Sequence, residues 1–354
     1  MTSEEMAVMF GTALVTNVFW YTIKDFYLNK NSKIDRISKI ELPPEIISNT
    51  EEIDPDRIMK QRFGELILNF AKTLDENFAR DDLNLFYDKI NSVRTRKRIY
   101  SEKDYKLGEY NPITNIIFYG IREPRKLDDI GFYHELFHLA TTFVYSKYKY
   151  MVGFEQSKYD VRLKQYHLIG KGLNEGYTEL LAQRFFAPKG YYNSDYNPAP
   201  YDKQTIIAGA VERVVGKEQM QKLFLHADLK SLTMELYRYV SEKEIINFLK
   251  DCDYTVIDED KKNEEELIIR YKKIFIFLLK AYSNKLNALV STGIMSREEA
   301  TINFNFYTAN LYYISDESPA ERLKYINFEL VDLSNLVVSE TITVNFVDNI
   351  KKGI

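Results

Sequence analysis

The sequence predicts a mainly helical α+β fold, and three observations carry that expectation. Apolar Phe63, Ile67, Phe70 and Leu74 recur at the spacing of one helix face. The short run Ile113 to Tyr119, rich in Ile, Phe and Tyr, reads as a strand. Asn263 with Glu266 and Ser296 with Glu299 form capping pairs ahead of apolar runs, as at helix N-termini. With 354 residues, 45% of them hydrophobic, the chain can bury a substantial core.

Met6 to Ile23 is mostly apolar and approaches the length of a membrane span. It is interrupted by Gly11, Thr12, Thr16, Asn17 and Thr22, and Glu4 and Glu5 precede it where a secretory signal carries Lys or Arg. It reads as a buried amphipathic helix. A membrane anchor through residues 6–23 is the alternative, in which Lys24, Lys30, Lys33, Arg36 and Lys39 hold the downstream domain on the cytoplasmic side. Both readings place the rest of the chain in the cytoplasm.

After the loop around Pro43, Pro44 and Pro55, a helix is expected over Ile58 to Ala79. Asn111 and Pro112 turn the chain into the strand Ile113 to Tyr119. Asp128 or Asp129 caps a helix running from Ile130 to Tyr145. Gly170 and Gly172 break the chain before a helix over Leu173 to Phe186. The Tyr191 to Tyr201 run is loop-like, and Gln204 to Leu225 resumes a helical pattern. The charged stretch Asp258 to Glu266 is an exposed junction before a long helix, Leu267 to Val290, stopped near Gly293. Its apolar run Ile274 to Leu279 is only six residues between Lys273 and Lys280, which fits a core better than a membrane. Val337 to Val347 alternates Ile342, Val344 and Phe346 and reads as a terminal strand. Three regions result: an N-terminal helical region 1–99, a central region 100–250, and a C-terminal helical region 251–354 with that strand.

Lys plus Arg total 48 against 52 Asp plus Glu, a formal charge of -4, which argues against a broad nucleic-acid-binding surface. The single cysteine, Cys252, excludes an intrachain disulfide framework and a cysteine-rich metal knuckle. Flanked by Asp251 and Asp253, it reads as inert, because an acidic setting disfavours the thiolate. The 27 Tyr and 22 Phe are best explained by a large core rather than an aromatic ligand surface. Oligomeric state is not encoded in any pattern found.

Chemistry concentrates in one turn. His134-Glu135-Leu136-Phe137-His138 is an H-E-x-x-H motif, and it holds two of the four histidines in the chain. Residues four apart on a helix share a face, so the two imidazoles can converge on one ion while Glu135 reaches a water beside it. A catalytic zinc site takes three protein ligands and keeps a fourth position for water, so a further ligand should lie downstream. Gly172-Leu173-Asn174-Glu175-Gly176-Tyr177-Thr178-Glu179 offers it, with Glu175 and Glu179 one helical turn apart. Alone, such a pair is usually a solvated helix face. Beside H-E-x-x-H, Glu175 is the preferred metal ligand and Glu179 the carboxylate that orients a histidine, the reverse assignment being the alternative.

H-E-L-F-H followed by N-E-G-Y-T-E resembles the gluzincin metallopeptidases, which include thermolysin-like enzymes and zinc aminopeptidases. The resemblance covers His134 to Arg184. It implies a zincin-like catalytic region at 100–250 with a small sheet and flanking helices. It also implies Zn2+ held by His134, His138 and Glu175, with Glu135 as general base and Glu179 behind a ligand. The strand Ile113 to Tyr119 would correspond to the edge strand along which such enzymes align an extended peptide or protein substrate. His138 and Glu175 stand 37 positions apart, more than is usual in these families, so an insertion rich in Tyr and Lys separates the motifs. The G-A-M-E-N stretch with which zinc aminopeptidases grip a free amino terminus is absent, which weakens an exopeptidase assignment. No third His follows at metzincin spacing, leaving Glu175 the better choice.

The chemistry also needs a donor for the oxyanion. Candidates are His226, His167 and the tyrosines of the Tyr191 to Tyr201 loop. His226 is favoured by its downstream position, although Leu225-His226-Ala227-Asp228 does not match the thermolysin motif. The expected protein is thus a zinc-dependent hydrolase, a peptidase. The alternatives are a catalytically silent zincin-fold binding or scaffold protein, against which the intact Glu135 argues, and a membrane-tethered protease.

Overall fold

The computed structural model describes residues 50–52, 57–79, 89, 94–98, 108–119, 129–146, 149–160, 162, 165–186, 201–256 and 263–313. The apolar segment 6–23, the tyrosine-rich loop before Tyr201, the junction at 258–262 and the strand expected at 337–347 lie outside the described residues.

Sheet A contains β1 (Thr50–Glu52), β2 (Arg94–Arg98), β3 (Gly108–Asn111) and β4 (Ile116–Tyr119) in the order β1-β2-β4-β3. Only the β2/β4 pair is parallel. Strands β3 and β4 form a hairpin in which Asn111 Oδ1 accepts the N–H groups of Ile113 and Thr114 and Asn115 adopts φ 52. That side-chain turn uses up residues 112–115. The expected strand from Ile113 therefore begins only at Ile116. A further correction concerns its place: among the described strands β4 is interior, and β3 is the edge beside it.

Helix α1 (Arg57–Asn77) buries Leu66, Phe70 and Leu74, and the Phe70 ring packs edge-on against Phe137. Helix α2 (Asp129–Ala140) is shorter than expected. Thr141 and Thr142 turn their hydroxyls back onto the carbonyls of Phe137 and His138, and the β-branched and aromatic residues after them become β5 (Thr142–Ser146). The Tyr- and Lys-rich insertion between the motifs is sheet B, an antiparallel meander of β5, β6 (Lys149–Val152), β7 (Glu155–Asp160) and β8 (Gln165–Ile169).

Helix α3 (Lys171–Phe186) comes directly after β8. The single helical stretch expected up to Leu225 is two helices, α4 (Asp202–Val215) and α5 (Lys217–Leu225), because Gly216 at φ 101 breaks it. Then come α6 (Leu229–Tyr237) and α7 (Glu242–Tyr254), the latter opened by a Ser241/Glu244 capping box. Asn263 accepts the N–H groups of Glu265 and Glu266 at the start of α8 (Glu264–Ser291), and Gly293 at φ 73 lies just past its end. Ser296 and Glu299 cap α9 (Arg297–Tyr313) reciprocally.

The protein is mostly helical, with two small sheets. One apolar core runs from Leu66 on α1 through Phe137, Tyr177 and Phe248 to Leu311 on α9. The described parts of all three sequence regions share it, and the boundary expected at 250 falls inside α7. Ile274 and Leu279 are buried in this core, and no described helix is long and apolar enough to cross a membrane. Cys252 is buried, and burial together with Asp253 and Asp251 pushes its thiol well above the usual range, as expected of an inert cysteine.

Candidate metal centre

Helices α2 and α3 pack against each other in the core, and each carries polar side chains on buried turns. His134, Glu135, His138, Glu175 and Glu179 are all less than a tenth exposed. Polar groups removed from water in this way must find partners. The glycines of the second motif bring α3 close to its neighbours. A Cβ on Gly172 would lie 2.1 Å from the Cys252 carbonyl oxygen on α7, and one on Gly176 the same distance from the Gln204 carbonyl oxygen on α4. Asp253 on α7 holds the start of α3 by accepting the N–H groups of Gly170 and Gly172, each at 3.0 Å. Further along, Glu212 on α4 accepts from the Tyr177 hydroxyl at 2.8 Å and from both terminal nitrogens of Arg184.

That scaffold brings three donor atoms together. His134 Nε2 lies 2.9 Å from His138 Nε2 and 3.2 Å from Glu175 Oε2, and His138 Nε2 lies 3.3 Å from Glu175 Oε2. Tetrahedral coordination with bonds near 2.1 Å sets ligand atoms about 3.4 Å apart, so the triad fits a metal ion closely. The proton arithmetic agrees. The Glu179 carboxylate accepts at 2.9 Å from His134 Nδ1, so that nitrogen carries the proton and Nε2 presents its lone pair to the other two donors. Two imidazole nitrogens and a carboxylate oxygen converging in this way require a proton or a cation between them. Burial opposes charge on His134, but Glu175 and Glu179 outweigh it and raise its pKa. Burial likewise opposes ionisation of Glu175, and the two histidines hold its pKa well below the ordinary carboxylate value. The buried His134, His138 and Glu175 group can hold a metal ion, and Glu179, whose pKa burial raises but His134 lowers further, to below its ordinary value, fixes the His134 ring by that hydrogen bond.

Glu135 projects toward sheet A. Its Oε2 accepts the Tyr110 N–H of edge strand β3 at 2.6 Å, and burial pushes its pKa upward, in the direction that suits a general base. Among the oxyanion-donor candidates, the structure brings Tyr201 to the triad. Its ring stacks on that of His134 with centroids 5.5 Å apart. The negative charge of Glu175, then burial, raises the Tyr201 pKa far enough to keep it a proton donor. His226 is the C-cap of α5 and is half-buried. His167 is an exposed residue of β8 whose Nε2 lies 3.7 Å from Asp160 Oδ2. Sequence reasoning missed Tyr110 and Gly108, since a backbone amide and a missing side chain carry no compositional signal. It also missed Asn174 as a neighbour of His138, although Asn174 stands inside the motif.

Comparison of the chain with protein-family models, with curated proteins and with solved structures finds no match.

Proposed function

We propose that this protein is a zinc-dependent peptidase with His134, His138 and Glu175 as metal ligands and Glu135 as general base. The observation that carries the reading is the position of Glu135. It lies one residue from a buried His/His/Glu triad and is anchored on the amide of an edge strand, where a purely structural metal site has no use for a carboxylate. When bound, zinc supplies Lewis acidity for the scissile carbonyl and lowers the pKa of its water toward about 7.

The chain's own residues do the rest. Glu135 takes a proton from the attacking water and delivers it to the departing amine nitrogen. Its raised pKa helps it hold that proton between the two steps. Tyr201 donates to the oxygen on which negative charge develops, the role for which His226 was the sequence-based choice. Glu179 fixes the His134 tautomer. Edge strand β3, rather than β4, is the strand along which an extended peptide aligns.

Glu135→Gln keeps the shape of the side chain and removes the base. Purified Glu135→Gln protein is expected to retain the wild-type metal content by elemental analysis and to lose hydrolysis of a peptide library. Unchanged hydrolysis would rule out the mechanism, and a wild-type protein that takes up no metal would rule out the site.

A further inference from the structure

Among the described strands β3 is an edge of sheet A, and the backbone groups of an edge strand alternate between its partner and the open side. Tyr110 stands opposite Ile117 of β4, yet its N–H goes to Glu135 Oε2. In an antiparallel pair both backbone groups of one residue turn the same way. The Tyr110 carbonyl therefore also faces the open side, and so do the N–H and carbonyl of Gly108, two residues earlier. The edge offers pairing positions at Gly108 and Tyr110, and at Tyr110 the donor is already taken.

Strength decides which acceptor keeps that donor. Glu135 brings a carboxylate to 2.6 Å from the Tyr110 nitrogen, on a residue 9% exposed. A charge-assisted bond of this kind is roughly twice as strong as a neutral one, and an arriving peptide offers only a neutral carbonyl. Packing holds Glu135 there as well. Its Cγ lies 3.2 Å from where a Cβ on Gly108 would stand, so the side chain runs along the face of β3 that a Gly108 side chain would occupy.

A peptide added antiparallel to β3, the more stable pairing per residue, meets an asymmetric edge. Opposite Gly108 it exchanges both backbone bonds. Opposite Tyr110 its N–H reaches the Tyr110 carbonyl, but its own carbonyl finds the strand's donor occupied and is left beside Glu135. A general base acts on a water within hydrogen-bond reach, so the carbonyl beside it is the one attacked. We infer that Glu135 sets the cleavage register by occupying the Tyr110 amide: the residue before the cleaved bond lies opposite Tyr110, and the second residue after it lies opposite Gly108. This inference rests on reading the protein as a peptidase, and it gives the backbone of β3 a part in specificity.

The test begins with peptides cleaved by the zinc-loaded full chain, with the cleaved bond located by mass spectrometry. Each is resynthesised with a single N-methyl group at successive positions, leaving the nitrogen of the cleaved bond unaltered. Methylating the residue before that bond, or the second residue after it, removes a donor to β3 and should lower kcat/KM by about 5- to 10-fold, whereas methylating the second residue before it, whose N–H points away from β3, should change kcat/KM by less than about twofold. A second readout is independent of turnover. In the metal-free chain labelled with 15N-glycine and 15N-tyrosine, the amide signals of Gly108 and Tyr110 are assigned from Gly108→Ala and Tyr110→Phe. Saturating peptide should move the Gly108 amide proton downfield and leave that of Tyr110, held by Glu135, in place. An absent or reversed alternation among the methylated peptides, or a Gly108 amide that stays put, overturns the register and leaves the peptidase reading standing. A zinc-loaded chain that cleaves no peptide overturns both.

Discussion

The Tyr110 N–H of edge strand β3 lies 2.6 Å from Glu135 Oε2, so the proposed base and the strand that would receive a substrate form one unit. Gly108, two residues earlier on the same strand, faces Glu135 as well. A Cβ there would come within 3.2 Å of Glu135 Cγ and 3.4 Å of its Oε1. Gly108→Ala should therefore displace the base without touching the metal ligands. Peptide turnover is expected to fall by at least about 10-fold, since misplacement of a catalytic group by an ångström can cost about 100-fold. Metal content measured on the same sample should be unchanged, and equal turnover would separate Gly108 from catalysis.

Tyr201 supplies a donor that phenylalanine cannot. With the stacking on His134 preserved, Tyr201→Phe should lower kcat by about 100-fold, the scale of losing one oxyanion donor, and leave metal affinity nearly intact. Steady-state kinetics paired with metal titration checks this. A loss confined to KM would assign Tyr201 to substrate binding instead.

Metal removal should cost stability by mass action, because the ligand atoms come from two separate helices that only the folded chain brings together. Metal at 100 times its Kd adds about 2.7 kcal/mol. Chelation should lower the thermal midpoint, excess zinc should restore it in a concentration-dependent way, and Glu175→Ala should abolish the response. A wild-type midpoint indifferent to both treatments would count against the site.

Gly176 lies in the second motif for a reason of packing. Gly176→Ala sets a methyl group where the Gln204 carbonyl oxygen stands, 2.1 Å away, and forces α3 off α4. A loss of about 2–3 kcal/mol is expected from the urea midpoint of the metal-free protein, in the range of overpacked cores. Wild-type stability in this variant would show that the helices yield easily.

Asp253 gives the fold a pH dependence of known sign. Burial pushes its pKa up to about 6, although the N–H groups of Gly172, Gly170 and Lys171 favour the ionised form. Because the folded value exceeds the unfolded value of about 3.9, its stabilising contribution is complete below about pH 4 and is lost as pH rises through about 6. The stability of the metal-free wild type relative to Asp253→Asn should decline between about pH 4 and 7 in urea titrations. A difference that grows over that interval would reverse the assignment.

Local signals located the helices they singled out, while α6, α7 and every described strand but β4 went unread. Helices α1 and α3 fall within two residues of their expected limits, because apolar spacing and glycine breaks are properties of short windows. The failures arose where a side chain competed with the backbone pattern. Thr141 and Thr142 ended α2 before the expected Tyr145, and Asn111 consumed the first half of the expected strand. The meander was legible only as extra length, since nothing in its composition specifies which residue of a turn touches which helix.

The sequence by itself determined the donor set: two histidines four apart, a glutamate between them, and a second pair of carboxylates one turn apart. Helical periodicity alone puts such groups on common faces. Only the tertiary structure decided how those faces meet. Contacts between residues distant in the chain, such as Gly176 against Gln204, Asp253 at the start of α3, Tyr201 against His134 and the Tyr110 amide on Glu135, depend on packing the whole core at once, and no short window of sequence contains them.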